Sequence, residues 1–189
     1  MDKISLDELK SDLEYSIKNN EIKLSKSVNY ETNFHVFGSG PNPKDKEIDI
    51  MFLGEAPGKN ESEIGLPFVG KSGKLIQEHL LDKYGIDRDD IFISNIMKIR
   101  PTMKGEYNII KDRAPSIAEI RSHLPHTKRL IQCVKPKIIF CFGRIAATLA
   151  SKDFCLDKCL EDHYNDYTMK NVKKMKYMSI VYEQGNEKT

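Results

Sequence analysis

The chain has no cysteine before Cys133, no apolar run long enough to cross a membrane, and no excess of charge of either sign. Each absence removes a class of protein. Cys133, Cys141, Cys155 and Cys159 make no disulfide framework, because two lie inside apolar stretches where a small hydrophobe packs well; reduced thiols are expected. Without a membrane-length run, and with "MDKISLDELK" where a signal peptide would carry its apolar core, the expected protein is soluble and cytoplasmic. Thirty Lys and Arg against 28 acids leave a net charge of +2, so any polyanion-binding face has to be local. Repeats and low-complexity segments are also missing, and 189 residues suffice for one domain with a real core. A monomer is expected, with residues 1–33 as an N-terminal helical segment and 34–182 as the α/β core. The many Lys, Asn and Ile residues suit an AT-rich coding source such as a bacterium or its phage.

What is present alternates between strand and helix. Leu6, Leu9, Leu13 and Ile17 recur at helical spacing, and Ser5 with Glu8 forms a capping-box signature, which predicts an amphipathic helix over 5–19. "FGSGPNPKDKE" is a turn-rich connector. The runs "IDIMFLG", "DIFISNI", "KIIFCFG" and "YMSIVY" read as four buried strands. Between them, "SGKLIQEHLLDKYG", "SIAEIRSHLPHTKRLIQCV" and "RIAATLAS" read as helices, with Pro125 expected to kink or break the second. The order predicts a three-layer α/β/α sandwich around a four-stranded parallel sheet.

The stretch "GLPFVGKSG", Gly65 to Gly73, matches the phosphate-cradling pattern G-x-x-x-x-G-K-[ST]. Its context does not. A phosphate loop follows its strand directly, whereas eleven positions separate Gly54 from Gly65, and Pro67 and Phe68 suit an exposed ring better than a backbone wrapped around phosphate. No later strand ends in an Asp for Mg²⁺. An NTPase is therefore the minor alternative. A better signal is the coincidence of strand ends: Glu55, Asn95, Gly143 with Arg144, and Tyr182 with Glu183 all follow or close strands, and ligands of open α/β sheets sit outside those carboxyl ends. Taken singly, each residue also has a bland reading as a turn former or a solvated charge.

"GEAPG" at 54–58, "ESEIGLPFVGKSG" at 61–73, "SNIMKIRP" at 94–101, "DRAP" at 112–115 and "KPKIIFCFGRIA" at 135–146 together resemble the uracil-DNA glycosylase superfamily. The likeness is to its iron–sulfur family 4 enzymes and spans about residues 34–150. The resemblance implies hydrolysis of the N-glycosidic bond of a flipped base in DNA. It implies that Phe68 stacks on that base and that Asn95, whose amide carries donor and acceptor, reads its edge. Ala56 and Pro57 would contact base and sugar, with Glu55 a candidate to orient water or, equally, a structural residue. Gly58, Gly70, Lys71, Ser72, Gly143 and Arg144 would hold DNA phosphates, although Lys71 reads as well as an ordinary surface lysine. Lys98, Arg100, Lys104 and the run "MKNVKKMK" are further candidates for the phosphates, such a run being more often a solvated face.

Three departures qualify the likeness. The family holds a four-iron cluster through four cysteines, but here Ile99 and His123 stand at two ligand positions and no thiol precedes Cys133; no cofactor is expected. Cys155, Cys159 and His163 could make a zinc corner, but a helical face explains them better, and no metal is expected. Where the family ends its fourth strand in T-Y-H-P, this chain reads "VYEQGNEKT", so Glu183 is the expected base contact in place of a histidine donor. That change favours a modified pyrimidine over uracil as substrate, or else a non-catalytic DNA-binding descendant. Third, "TMKGEYNIIK" is an extra segment that could be a DNA contact, a lid or a tolerated insertion.

Overall fold

The computed structural model describes residues 4–24, 35–143, 145–147 and 181–183. Three parallel strands form the centre of the sheet: β1 (Ile50–Gly54), β2 (Phe92–Asn95) and β5 (Ile138–Cys141), in the spatial order β2-β1-β5. Met51 aligns with Phe92 on one side and with Ile139 on the other. β1 is buried along nearly all its length, as its unbroken apolar run requires. The parallel pairing needs long crossovers. The first contains α2 (Lys59–Ile64), α3 (Lys71–Ile76), a wide turn at Gln77–Leu81 and α4 (Asp82–Tyr84). The second contains a small antiparallel hairpin and the long helix α5 (Ile117–Val134).

The fourth strand differs from expectation. β6 (Val181–Glu183) is antiparallel to β5, with Phe140 opposite Val181 and Ile138 opposite Glu183. The sheet is therefore mixed, with an antiparallel edge strand on a parallel core. Helix α1 (Leu6–Lys18) begins as expected at Ser5, whose side chain accepts from the Glu8 N–H while the Glu8 carboxylate reaches back. Its Leu9 and Leu13 enter the same core as Ile120, Leu124 and Ile131 of α5, and Arg129 pairs with Asp12 at 2.6 Å. Of the expected kink or break at Pro125 the break does not occur, since α5 runs as one helix through it. The proline is exposed, while His123 and Leu124 before it and Thr127 and Leu130 after it are all buried. Burial on both sides offsets a proline cost of about 3 kcal/mol.

The extra segment is a hairpin. β3 (Thr102–Lys104) pairs antiparallel with β4 (Ile110–Asp112), closed by a short turn at Glu106–Asn108. The expected helix at "RIAATLAS" is described only at residues 145–147. Arg144, the 148–180 region with Cys155, Cys159, His163 and "MKNVKKMK", and most of "YMSIVY" lie outside the described residues.

Candidate functional site

The carboxyl ends of β1 and β2 are zipped together beyond the sheet. Gly54 aligns with Asn95, the Ile96 N–H donates to the Gly54 carbonyl and the Met97 N–H to that of Glu55, each at 2.9 Å. Into this junction comes the Phe68 ring. A Cβ on Gly54 would collide with Asn95 Oδ1 and would lie 2.6 Å from Phe68 Cζ. Residue 54 is thus small because an amide and an aromatic ring converge over it. Phe68 is not the exposed ring the sequence suggested: it is 9% exposed and meets Phe142 edge-on, 5.7 Å between centroids. Phe142 in turn packs on Phe52 at 5.0 Å. The ring is a wall fixed from behind. Its backbone is in the left-handed region, φ 54°, a conformation costly for a bulky residue and held only by its surroundings.

Glu61 is one of those surroundings, and it was not singled out from the sequence. Its buried carboxylate accepts from the Val69 N–H at 3.0 Å and the Gly70 N–H at 2.6 Å. A Cβ on Gly58 or on Gly70 would meet the same carboxylate at 2.9 Å. It therefore clamps the GEAPG loop to the PFVG loop. Arg88 completes the hold, donating to the Pro67 carbonyl at 2.5 Å and the Phe68 carbonyl at 3.3 Å, and burial lowers its pKa from the ordinary value. These contacts correct two readings. The Gly70 N–H faces Glu61 and is occupied, so it does not serve DNA phosphate, and the loop that resembles a nucleotide cradle has a carboxylate at its centre. Lys71 and Ser72 are exposed at the start of α3, and Gly143 is exposed with φ 91° after β5. Glu55 and Ala56 are partly buried, and Pro57 is buried.

Lys98 is the largest correction. Expected at the DNA surface, it is 0% exposed, with Nζ donating to Ser94 Oγ and to the Asn95 carbonyl, both at 2.7 Å. Ser94 Oγ in turn donates to the Phe37 carbonyl at 2.7 Å. Burial lowers the Lys98 pKa to about 7. The amine thus braces the backbone from which the Asn95 amide projects. Arg100 is also turned inward, 9% exposed and paired with Asp112 at 2.5 Å, while Lys104 remains exposed. The reason is the path of the chain. Residues 93–98 continue straight on from β2 beside residues 36–39, as the Ser39–Ile93 pairing and the Val36 N–H to Lys98 carbonyl bond at 2.7 Å indicate. Thr127 of α5 donates to the Ile96 carbonyl at 2.9 Å from the other side.

Glu183 is placed away from this junction. Because β6 runs back along β5, residue 183 aligns with Ile138 at the amino end of that strand, three residues from the carboxyl end, or about 10 Å. A parallel strand would have delivered it to the cleft. His123 and Ile99, which stand at cluster-ligand positions, do not fit an iron–sulfur group. Ile99 is buried hydrocarbon; His123 Nδ1 donates to the Glu119 carbonyl at 2.8 Å, and its buried Nε2 has no hydrogen-bond partner among the described residues. Burial lowers the His123 pKa to about 4. Among the described residues no group of three or more His, Cys, Asp or Glu side chains is arranged to hold a metal ion.

A model of the uracil DNA glycosylase superfamily matches residues 41–181. Type-4 uracil-DNA glycosylase of Archaeoglobus fulgidus is 34% identical over 117 residues, covering 62% of this chain and 54% of its own. Proteins of that name from Sulfurisphaera tokodaii and Saccharolobus solfataricus are 42% identical over 96 residues and 38% over 104. The matches cover 51% and 55% of this chain, and 40% and 44% of theirs. The chain thus spans about half the length of the relatives it matches.

Proposed function

Because the chain belongs to the uracil DNA glycosylase superfamily, we propose that it hydrolyses the N-glycosidic bond of a flipped-out pyrimidine in DNA. The single observation that carries this reading is the convergence of Phe68 and Asn95 over Gly54, a wall and an edge-reading amide at one strand end. The pyrimidine leaves with the electrons of the C1′–N1 bond, water adds to C1′, and the water's proton ends on the base, leaving an abasic sugar. The Asn95 amide N–H donates to the base oxygen as negative charge builds there. Glu55, one residue past Gly54 on the same loop, orients the water. Lys98 and Glu61 hold the two loops in register from inside.

The chain's own side chains carry every step, and none runs through a cluster, since Ile99 and His123 at the ligand positions offer no thiolate. DNA is the partner that this reaction requires, held through exposed cations such as Lys71 and Lys104. Uracil is the base in the relatives' names. A modified pyrimidine retains the support of the missing histidine but loses that of Glu183. A DNA-binding protein without catalysis is the second reading, favoured by the antiparallel run of the strand that should bring a leaving-group donor to the cleft.

One panel separates them: oligonucleotides bearing uracil, thymine, cytosine or a bulky 5-substituted pyrimidine, assayed for abasic sites and free base. Release from uracil DNA supports the first reading, and release only from the 5-substituted strand supports the modified-base form. Binding without any release leaves the non-catalytic reading.

A further inference from the structure

Among the described residues, exposed apolar side chains gather on the hairpin. Of the ten large hydrophobic residues that are exposed among the described residues, four fall within residues 103–110: Met103 at 49%, Tyr107 at 92%, Ile109 at 55% and Ile110 at 41%. The other six are scattered singly over α1, α2, the loop after it, α3, α4 and the N-terminus. Single exposed apolar residues need no special account, whereas four gathered on one short projecting element, Met103 on one face and Ile110 on the other by their register, mark an interaction surface. Tyr107 is the most exposed of the ten, and it sits at the tip with a left-handed backbone, φ 55°, as does Asn108, φ 60°. Gly105 and Ile109 close the turn beneath it through a 2.8 Å bond from the Gly105 N–H.

The hairpin's base, by contrast, is firmly held. Arg100 pairs with Asp112, Arg113 Nε donates to the Thr102 carbonyl at 2.8 Å, and the same guanidinium is bidentate to the buried Glu119 at the start of α5. Burial pushes the Glu119 carboxyl up, but the Arg113 and Ser116 hydrogen bonds outweigh it and leave the pKa below the ordinary value. The chain enters β3 after running on in the direction of β2, so the hairpin leaves the same end of the sheet that carries Gly54 and Asn95. Lys104 and Lys111 are exposed on its two strands, against Glu106 near the tip and Asp112 at the base, the latter already paired with Arg100.

We propose that this hairpin is a DNA-docking element, with the Tyr107 ring stacking into the duplex beside the displaced nucleotide. The inference rests on the glycosylase reading for its partner and adds a specific contact to it. Extruding a base leaves neighbours that have lost a stacking surface, and an aromatic or apolar wedge on a rigid stem replaces it. Tyr107 supplies the flat ring, Ile109 and Met103 the apolar shoulder, and Lys104 and Lys111 the phosphate attraction. A second copy of the chain is the rival occupant, but with Asp112 tied to Arg100 the two lysines outnumber Glu106 and leave the element cationic, which suits a polyanion better than a like-charged twin.

The test uses a duplex containing a tetrahydrofuran abasic analogue with 2-aminopurine as its neighbour, titrated with wild type, Tyr107→Ala and Tyr107→Phe. Anisotropy gives affinity and 2-aminopurine emission gives stacking. Tyr107→Ala is expected to weaken binding to this duplex about tenfold and to abolish the emission change, and Tyr107→Phe to restore both. Equal binding and emission for wild type and Tyr107→Ala overturns the proposal. So does a wild-type protein that fails to bind, or one whose Tyr107 controls dimer formation in sedimentation and leaves DNA binding unchanged. If wild type binds through Tyr107 yet releases no base from any pyrimidine, the docking element stands and the catalytic reading falls. If base is released and Tyr107→Ala binds normally, the outcome is reversed.

Discussion

The junction of β1 with β2 and the β3–β4 hairpin are joined by only six residues, Ile96 to Pro101, yet they are built on opposite terms. At the junction three key side chains are enclosed: Asn95 is 2% exposed, Phe68 9%, Lys98 0%. On the hairpin the tip residue is 92% exposed and its strands carry two apolar neighbours into water. The first region is over-determined by packing and buried hydrogen bonds, so small changes there should be felt strongly. The second gains little stability from its exposed side chains, so changes there should alter binding and leave folding alone. The proposed reaction, with a base held rigidly and a deformable duplex gripped beside it, calls for both.

The largest expected effect is at Gly54. Gly54→Ala places a methyl group against Asn95 Oδ1 and Phe68, which displaces the pair and should lower base release by about a hundredfold or more. Single-turnover release assays measure this, and near-normal activity would show that the two side chains do not act together. Next comes Glu61→Ala, which strips the acceptor from the Val69 and Gly70 N–H groups and should destabilise by about 2–4 kcal/mol in urea unfolding. Phe68→Ala belongs in the same range, since the ring is packed and large-to-small core changes cost about 3–5 kcal/mol. A smaller cut such as Phe68→Leu is therefore the better probe of its role in base binding.

Lys98 gives a pH signature. Its folded-state pKa is depressed to about 7 from 10.5, so between these values the unfolded chain binds more protons than the folded one, and stability rises with pH. Below about pH 7 the cost of burying the charged amine is fully present. His123 acts in the same sense between about 4 and 6.5. Urea midpoints across pH 7–10 should climb for wild type and stay flatter for Lys98→Met, and parallel curves would refute the assignment. Lys98→Met should also slow base release about tenfold, because the Asn95 carbonyl loses its brace. The smallest folding effect is at the hairpin: Tyr107→Ala should leave the unfolding free energy within about 0.5 kcal/mol of wild type.

The same contrast governs what the sequence disclosed. β1, β2 and β5 were legible because an unbroken apolar run that stops at Gly or Asn fits little except a buried strand, and α1 because Ser5 and Glu8 write their capping box in sequence. Phe68 and Asn95 were legible as a pair only through motif order. Lys98 was misread because charge is ordinarily solvated; the signal that could have corrected it is its company, Ile96, Met97 and Ile99, a run that must be inside. Glu61 escaped notice because its work is on backbone N–H groups eight and nine residues away, which no spacing rule marks. The direction of β6 was not legible either, since strand polarity depends on the route taken between Ala147 and Val181, and a short apolar strand reads alike both ways. With that polarity went the expected position of Glu183.

Asn95→Asp tests the central claim most directly, because it keeps the size of the side chain while replacing the amide donor with a carboxylate. The measurement is free-base release, by mass spectrometry, from whichever pyrimidine DNA the wild type processes. The account predicts an abasic site for every base released by wild type, and a loss of at least about a hundredfold in Asn95→Asp at a temperature where its melting curve shows the variant still folded. Undiminished release by the variant, or no release from any pyrimidine by the wild type, would contradict it.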